Sequence, residues 1–207
     1  MRPVNSRFFL KAGWRLYSKS IDKSASFSLA NLRIGYASDV KYHPNSDKMY
    51  ISRIQVSEGT PDDPELIVRQ VCSGLREYVP LDELKGRLLV IVDNMKKCKL
   101  RGEFSEAMVL CGDDSAQNIV EPCSPVRSSR SLIGKHVVLK GRTNEPTTRR
   151  IKASEWQELG SRLSVDAQNR AVFKDPETGQ QVPLCVYDGD EEVDIKVGKV
   201  TAGTPVR

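Results

Sequence analysis

A mainly β fold, a small closed barrel of five short strands with one short helix, is predicted by three features of this 207-residue chain. Short apolar runs recur between turn-forming clusters of Gly, Pro, Asn, Asp and Ser. One run, Leu88-Leu89-Val90-Ile91-Val92, is long enough for a buried strand and is followed by a second at Met108-Val109-Leu110-Cys111. A single short helical signal falls between the third run and the fourth.

The elements follow in order. Residues 32–40 read as a first strand in which Gly35 permits sharp curvature. His43-Pro44-Asn45-Ser46-Asp47 is a turn cluster, and residues 49–56 alternate as a second strand, with Met49 and Ile51 inward and Ile54 and Val56 inward after a small irregularity. Residues 66–72 form a third, stopped by Ser73-Gly74. Pro80 opens the helix, Leu81 and Leu84 share one face, and Gly86 ends it. The two apolar runs above supply the fourth and fifth strands. Five strands with a helix between the third and fourth is the order of an OB-fold barrel, whose grooved face and rim loops commonly take single-stranded or looped nucleic acid.

Between the last two strands lie Lys96, Lys97, Lys99 and Arg101, four cations in six residues, with Gly102 marking a turn. A loop held between two core strands presents its charges as a fixed patch. Such a patch suits a polyanion better than a small substrate. The plainer reading is an ordinary solvated loop, although four cations without an acid among them depart from a mixed surface.

The formal net charge is +5. Residues 1–17 hold Arg2, Arg7, Lys11 and Arg15 and no acid, which leaves a nearly neutral body. Residues 1–20 are Arg- and Ser-rich and amphipathic, the composition of a mitochondrial transit peptide rather than a secretory signal. Arg15-Leu16-Tyr17-Ser18 is similar to a matrix-protease site cut after Tyr17. The alternative is a basic arm that adds nonspecific RNA affinity. Residues 18–30, with five serines, read as a linker. No apolar run approaches the roughly 20 residues that span a bilayer. Five cysteines without a C-x-x-C pair predict neither a disulfide framework nor zinc, and most are expected reduced and at least half-buried.

Four ordered motifs then carry a resemblance. They are Leu32-Arg33-Ile34-Gly35, His43-Pro44-Asn45-Ser46-Asp47-Lys48-Met49-Tyr50 and Arg69-Gln70-Val71-Cys72-Ser73-Gly74-Leu75. The fourth is Asn94-Met95-Lys96 with Leu100-Arg101-Gly102 and Ser105-Glu106-Ala107-Met108-Val109-Leu110-Cys111. The chain resembles the tRNA-binding domain at the C-terminus of some tyrosyl- and methionyl-tRNA synthetases, in free-standing tRNA-binding proteins and in EMAP-II-like synthetase cofactors. The resemblance implies an OB-fold that recognises tRNA by shape. It implies RNA contacts at Asn94, Lys96, Arg101, Ser105 and Met108, with Ser73 on the same surface; Lys97 and Lys99 join them by position. Lys97 stands where relatives often have Pro, and Ala107 where many have Gly.

Plainer roles compete. Asn94 could cap a strand end, Ser105 could satisfy a backbone group, and Met108 could be core. His43 and His136 read as structural, outside any metal-ligand spacing.

From residue 121 the resemblance continues, to the EMAP-II-like and tyrosyl-synthetase branch. It implies an α+β extension packed on the barrel, over the surface that simpler members use to dimerise, and hence a monomer. A strand is expected near residues 134–139, and later ones at 171–173, 182–186 and 195–200. Ser154 and Gln157 have capping-box spacing, with Trp156, Leu159 and Leu163 on one helical stripe. Arg149, Arg150 and Lys152 are candidate secondary RNA contacts. Along with Arg127, Arg130, Lys140 and Arg142, they could instead form a salt-bridged face opposite the acids of residues 188–194.

The domain plan is therefore a transit peptide at 1–17, a linker at 18–30, a barrel at 31–120 and the extension at 121–207. With no catalytic constellation, glycine-rich phosphate loop or H-E-x-x-H, the expectation is a non-enzymatic tRNA-binding protein without cofactor, metal or membrane association. Its place is the mitochondrial matrix, with the cytoplasm as the alternative, and an aminoacyl-tRNA synthetase is a further candidate partner. The competing readings are a protein-interaction scaffold with incidental RNA affinity and a secreted cytokine-like factor.

Overall fold

The computed structural model describes residues 25–57, 66–142 and 147–207. The expected transit peptide and the start of the expected linker lie outside the described residues. The end of that linker belongs to the folded body, which corrects its boundary. Ala25–Ser28 form a helical turn, α1, and Phe27 is buried edge-on against Phe173, with ring centroids 5.3 Å apart. An aromatic side chain of that size is stable in a core and costly in a solvated linker.

The barrel strands come close to their expected bounds: β1 (Leu32–Tyr42), β2 (Tyr50–Gln55) and β3 (Val68–Ser73). Helix α2 (Leu81–Leu84) starts after Pro80, and β4 (Leu88–Val92) follows. The expected loop then contains a hairpin of its own, β5 (Cys98–Leu100) and β6 (Glu103–Ser105), before β7 (Met108–Val109). The sheet runs β3-β2-β1-β4-β7, antiparallel throughout. It nearly closes where the Glu106 N–H donates to the Gln70 carbonyl at 2.8 Å. This is the five-stranded OB-fold barrel with one short helix.

The β1–β2 register shifts between Ala37 and Asp39, an irregularity of the kind that bends a strand. Gly35 answers a different need. A Cβ there would lie 2.3 Å from Ile54 Cγ2 of the neighbouring strand, so glycine lets β1 and β2 close on each other. Strand β2 departs from simple alternation: only Arg53 is exposed, and Met49 stays half-buried outside the strand.

All five residues of β4 are buried. Leu89 and Ile91 face the barrel interior with Ile54, Val71 and Val109. Leu88, Val90 and Val92 face outward with Leu32 and Ile34, into a second core that includes Leu132, Leu139 and Phe173. The C-terminal half thus covers the outer face of β1 and β4.

That half contains β8 (Cys111–Asp114), β9 (Ile119–Pro122), β10 (Ser124–Pro125), β11 (Val138–Leu139), α3 (Ala153–Gly160), β12 (Leu163–Val165), β13 (Ala171–Lys174), β14 (Gln181–Asp188) and β15 (Glu191–Lys196). Its larger sheet runs β10-β15-β14-β13-β12, with β11 on β14. Helix α3 begins earlier than expected. The Glu155 carboxylate accepts the Lys152 N–H at 2.9 Å, while a lysine side chain has no acceptor to complete a capping box. Ser154 and Gln157 therefore lie within the helix, and Leu163 has left it for β12. The final strand ends at Lys196, and Val197 and Val200 are buried beyond it. Among the described residues no helix is long and apolar enough to cross a membrane.

Replacing Gly35 with alanine should destabilise the fold by about 1–3 kcal/mol, the usual cost of overpacking. Chemical denaturation would show it as a lower midpoint at an unchanged slope.

Candidate nucleic-acid interface

The β5–β6 hairpin and the two residues that lead into it carry all four cations of the expected patch. Lys96, Lys97, Lys99 and Arg101 are exposed, and Arg101 and Gly102 form its two-residue tip. Both tip residues have positive φ, 50° and 104°, as in the primed turns that match strand twist. Glycine and asparagine adopt that region readily; arginine is held there at a cost.

The hairpin is fixed from three sides. His43, buried, accepts the Asn45 N–H through Nδ1 at 3.1 Å, which leaves Nε2 to donate to the Leu100 carbonyl at 3.1 Å. The Asn45 amide donates to the Arg101 carbonyl at 3.0 Å. On the other flank Ser105 Oγ accepts the Cys72 N–H at 3.0 Å and donates to the Ala107 carbonyl at 3.0 Å. The Gln70 side-chain amide donates to the Phe104 carbonyl at 2.9 Å, and the Gln70 backbone N–H donates to Glu106 Oε2 at 3.0 Å. The Gln70 N–H, with the Lys97 ammonium 3.2 Å away, holds the Glu106 carboxyl below the usual carboxylate range. Among the described residues no acid lies within ion-pair distance of Lys96, Lys99 or Arg101.

Three of the expected contacts lie elsewhere or are already engaged. Asn94 is buried: Oδ1 accepts the Asn31 N–H at 2.8 Å, and Nδ2 donates to the carbonyls of Leu29 and Arg149 at 2.8 and 2.7 Å. Those bonds tie the start of β1 and the segment before α3 to the end of β4, and they occupy both polar atoms of the Asn94 side chain. Ser105 is likewise buried and spent on the backbone. Met108, half-buried, packs against the outer core and shares a 220 Å³ hollow with Ser73 and Arg207, and none of the four cations lines it.

Sequence reasoning missed Arg33 and Arg69. They line a cleft of about 390 Å³ with Lys97, Arg150, Asp93 and Glu106. Arg33 and Asp93 continue the inward-facing rows of β1 and β4 past the end of the apolar core, to the barrel mouth. Asp93 sits between Arg69 Nε at 2.7 Å and Arg33 Nε at 3.5 Å. Four cations against two carboxylates leave the cleft positive. The only signal in the sequence was that Arg33 falls between Leu32 and Ile34 and Arg69 follows Val68, each basic residue next to apolar strand residues.

In the C-terminal half Arg127 and Lys140 pair with the acids of residues 188–194, while Arg142 and Arg149 pair with acids elsewhere. Arg127 pairs with Asp188 and Glu191, Lys140 with Glu192, Arg142 with Asp175, and Arg149 with Glu155. Arg150 alone of the secondary candidates joins the cleft; Lys152 starts α3. Four cysteines are buried, and Cys98, on the hairpin, is exposed. Burial pushes the Cys111 thiol up to about 12. No group of three or more metal-ligating side chains occurs among the described residues.

Residues 32–137 match the tRNA binding domain family. The chain is 33% identical over 153 residues to a Chinese hamster (Cricetulus griseus) protein named aminoacyl tRNA synthase complex-interacting multifunctional protein 1, covering 73% of this chain and 40% of that one. It is 35% identical over 140 residues to the cytoplasmic tyrosine–tRNA ligase of Xenopus laevis, covering 67% and 24%. It thus spans less than half the length of these relatives. The C-terminal domain of Plasmodium vivax p43 shares the fold, with a TM-score of 0.69 at 23% identity over 87% of this chain and 98% of that one.

Removing the Asn94 side chain by alanine substitution strands three backbone groups, and should cost about 2–4 kcal/mol in a denaturation experiment. Glu106 predicts a pH dependence with a definite sign. Its folded pKa is depressed, so its contribution is present above the unfolded value of about 4.3 and lost as pH falls through the folded one. Wild-type protein should therefore lose more stability than Glu106→Gln between about pH 5 and pH 3.

Proposed function

The chain belongs to the tRNA binding domain family, and from that premise we propose that it is a non-catalytic tRNA-binding protein of mitochondria that assists an aminoacyl-tRNA synthetase and works as a monomer. The observation that carries this reading is the anchored hairpin, on which, with the two residues leading into it, four exposed cations are gathered. Phosphates are matched by Lys96, Lys97, Lys99 and Arg101, and the positive cleft at the barrel mouth extends the track through Arg69 and Arg150. No base-reading side chain is needed, in keeping with recognition by shape.

Support for a synthetase partner comes from the names of the relatives, one a synthase-complex-interacting protein and one a tRNA ligase. A scaffold reading, with RNA affinity incidental, draws on the same names; a synthetase retained after nuclease treatment, by protein whose RNA affinity is negligible, would favour it. The mitochondrial assignment rests on the acid-free, Arg-rich composition of residues 1–17. A reporter fused to residues 1–30 should enter the matrix, and a cytosolic or secreted reporter would refute the assignment. Monomeric behaviour is supported by the coverage of β1 and β4 by the C-terminal half.

Four phosphate contacts give a log-log salt slope of about −3, at roughly 0.7 per contact for nonduplex RNA. Lys96→Ala combined with Arg101→Asn should weaken binding to many tRNAs alike and bring the slope to about −1.5. Asparagine suits the left-handed tip, so the double variant should remain folded. Unchanged affinity and slope would remove the hairpin from RNA binding.

A further inference from the structure

Phe104 is an exposed aromatic in the middle of this cationic hairpin, with 49% of its surface open to solvent. It stands directly across from Lys99, and Lys97 is the diagonal neighbour, so the three side chains share the outer face. Lys97 Nζ lies 4.7 Å from the ring centroid and Lys99 Nζ 5.8 Å. The backbone beneath is held on both sides: Gln70 binds the Phe104 carbonyl, and the next residue, Ser105, is buried and bonded to Cys72.

We propose that Phe104 is a stacking platform for an unpaired base of bound RNA, with Lys97 and Lys99 holding the phosphates on either side of that nucleotide. The inference deepens the tRNA-binding reading and rests on it. A planar ring fixed on a rigid hairpin and flanked by two ammonium groups matches the repeating chemistry of a single strand, base then phosphate. A base sliding over the ring displaces one ammonium, and the flexible lysine stem lets that charge swing to the adjoining phosphate. Every base has a π-face, so the platform is indifferent to sequence and sensitive to pairing. An apolar protein partner would instead have to desolvate Lys96, Lys97 and Lys99 without compensation. Lys97 also lines the positive cleft, which gives the strand a path away from the platform.

The test uses the full chain, an unstructured oligoribonucleotide, a tRNA and a fully paired RNA duplex. Phe104→Ala and Phe104→Leu should each weaken binding of the single strand about 5- to 100-fold, the range set by loss of one base–aromatic stack. Their salt slope and their binding of the duplex should stay as in wild type. Phe104→Trp should preserve affinity, and its fluorescence above the Trp14 and Trp156 background should be quenched by the single strand. Wild-type affinity in Phe104→Leu would overturn the platform, as would equal losses for single strand and duplex, or loss of synthetase binding with RNA binding intact. Because Phe104 is half open, circular dichroism should show these variants folded. Failure of the platform with a continued effect of Lys96→Ala/Arg101→Asn leaves tRNA binding standing; wild-type protein that binds none of the RNAs removes both.

Discussion

The constraint on which the rest of the molecule depends is that β4 has no face for water. Five consecutive apolar residues in a strand place three side chains on one side and two on the other, and each set must be covered. The barrel interior covers Leu89 and Ile91; the C-terminal half covers Leu88, Val90 and Val92. The second half is thus part of what makes the barrel stable, and its six-stranded sheet is there to present that cover. The start of β1 is drawn into the same layer, with Leu32 and Ile34 outward and the close approach at Gly35 inward.

From that layer the chain leaves β4 and immediately has to be steered. Asn94 does this at the first turn, exchanging three hydrogen bonds with segments far away in sequence. His43 and Gln70 then hold the hairpin at its tip and its root. What reaches solvent is a short ribbon whose inner face is committed to the protein and whose outer face carries charge and one ring. A long flexible loop with the same composition would lose far more conformational freedom on binding a polyanion.

Much of this was legible in the sequence. The barrel strands, the short helix and the four cations were each set by local pattern: apolar runs, a proline start, a cluster of lysines before a glycine. The hairpin within the expected loop was not, because Cys98 to Leu100 is too short and polar to register as a strand; its pairing is decided by anchoring to β3 and the His43 turn. The sequence could not choose between the two readings of Asn94 and Ser105 for a related reason. A polar side chain beside a basic loop looks the same in sequence whether it faces solvent or satisfies buried backbone, and only the tertiary neighbours distinguish the two. Arg33 and Arg69 were overlooked because an arginine at a strand end reads as ordinary surface until the barrel closes and reveals a mouth. The start of α3 moved because Glu155 reaches back to Lys152, a bond independent of what the residue at the cap can offer.

The uneven exposure of the thiols has a practical consequence. Four of the five cysteines are shielded within the fold, whereas Cys98 sits on the cationic ribbon itself. A maleimide dye or nitroxide applied to the unaltered chain would therefore attach to the ribbon across from Ser105, on the face opposite Phe104, and a spectroscopist could follow occupancy of that ribbon in the native molecule without changing a single codon.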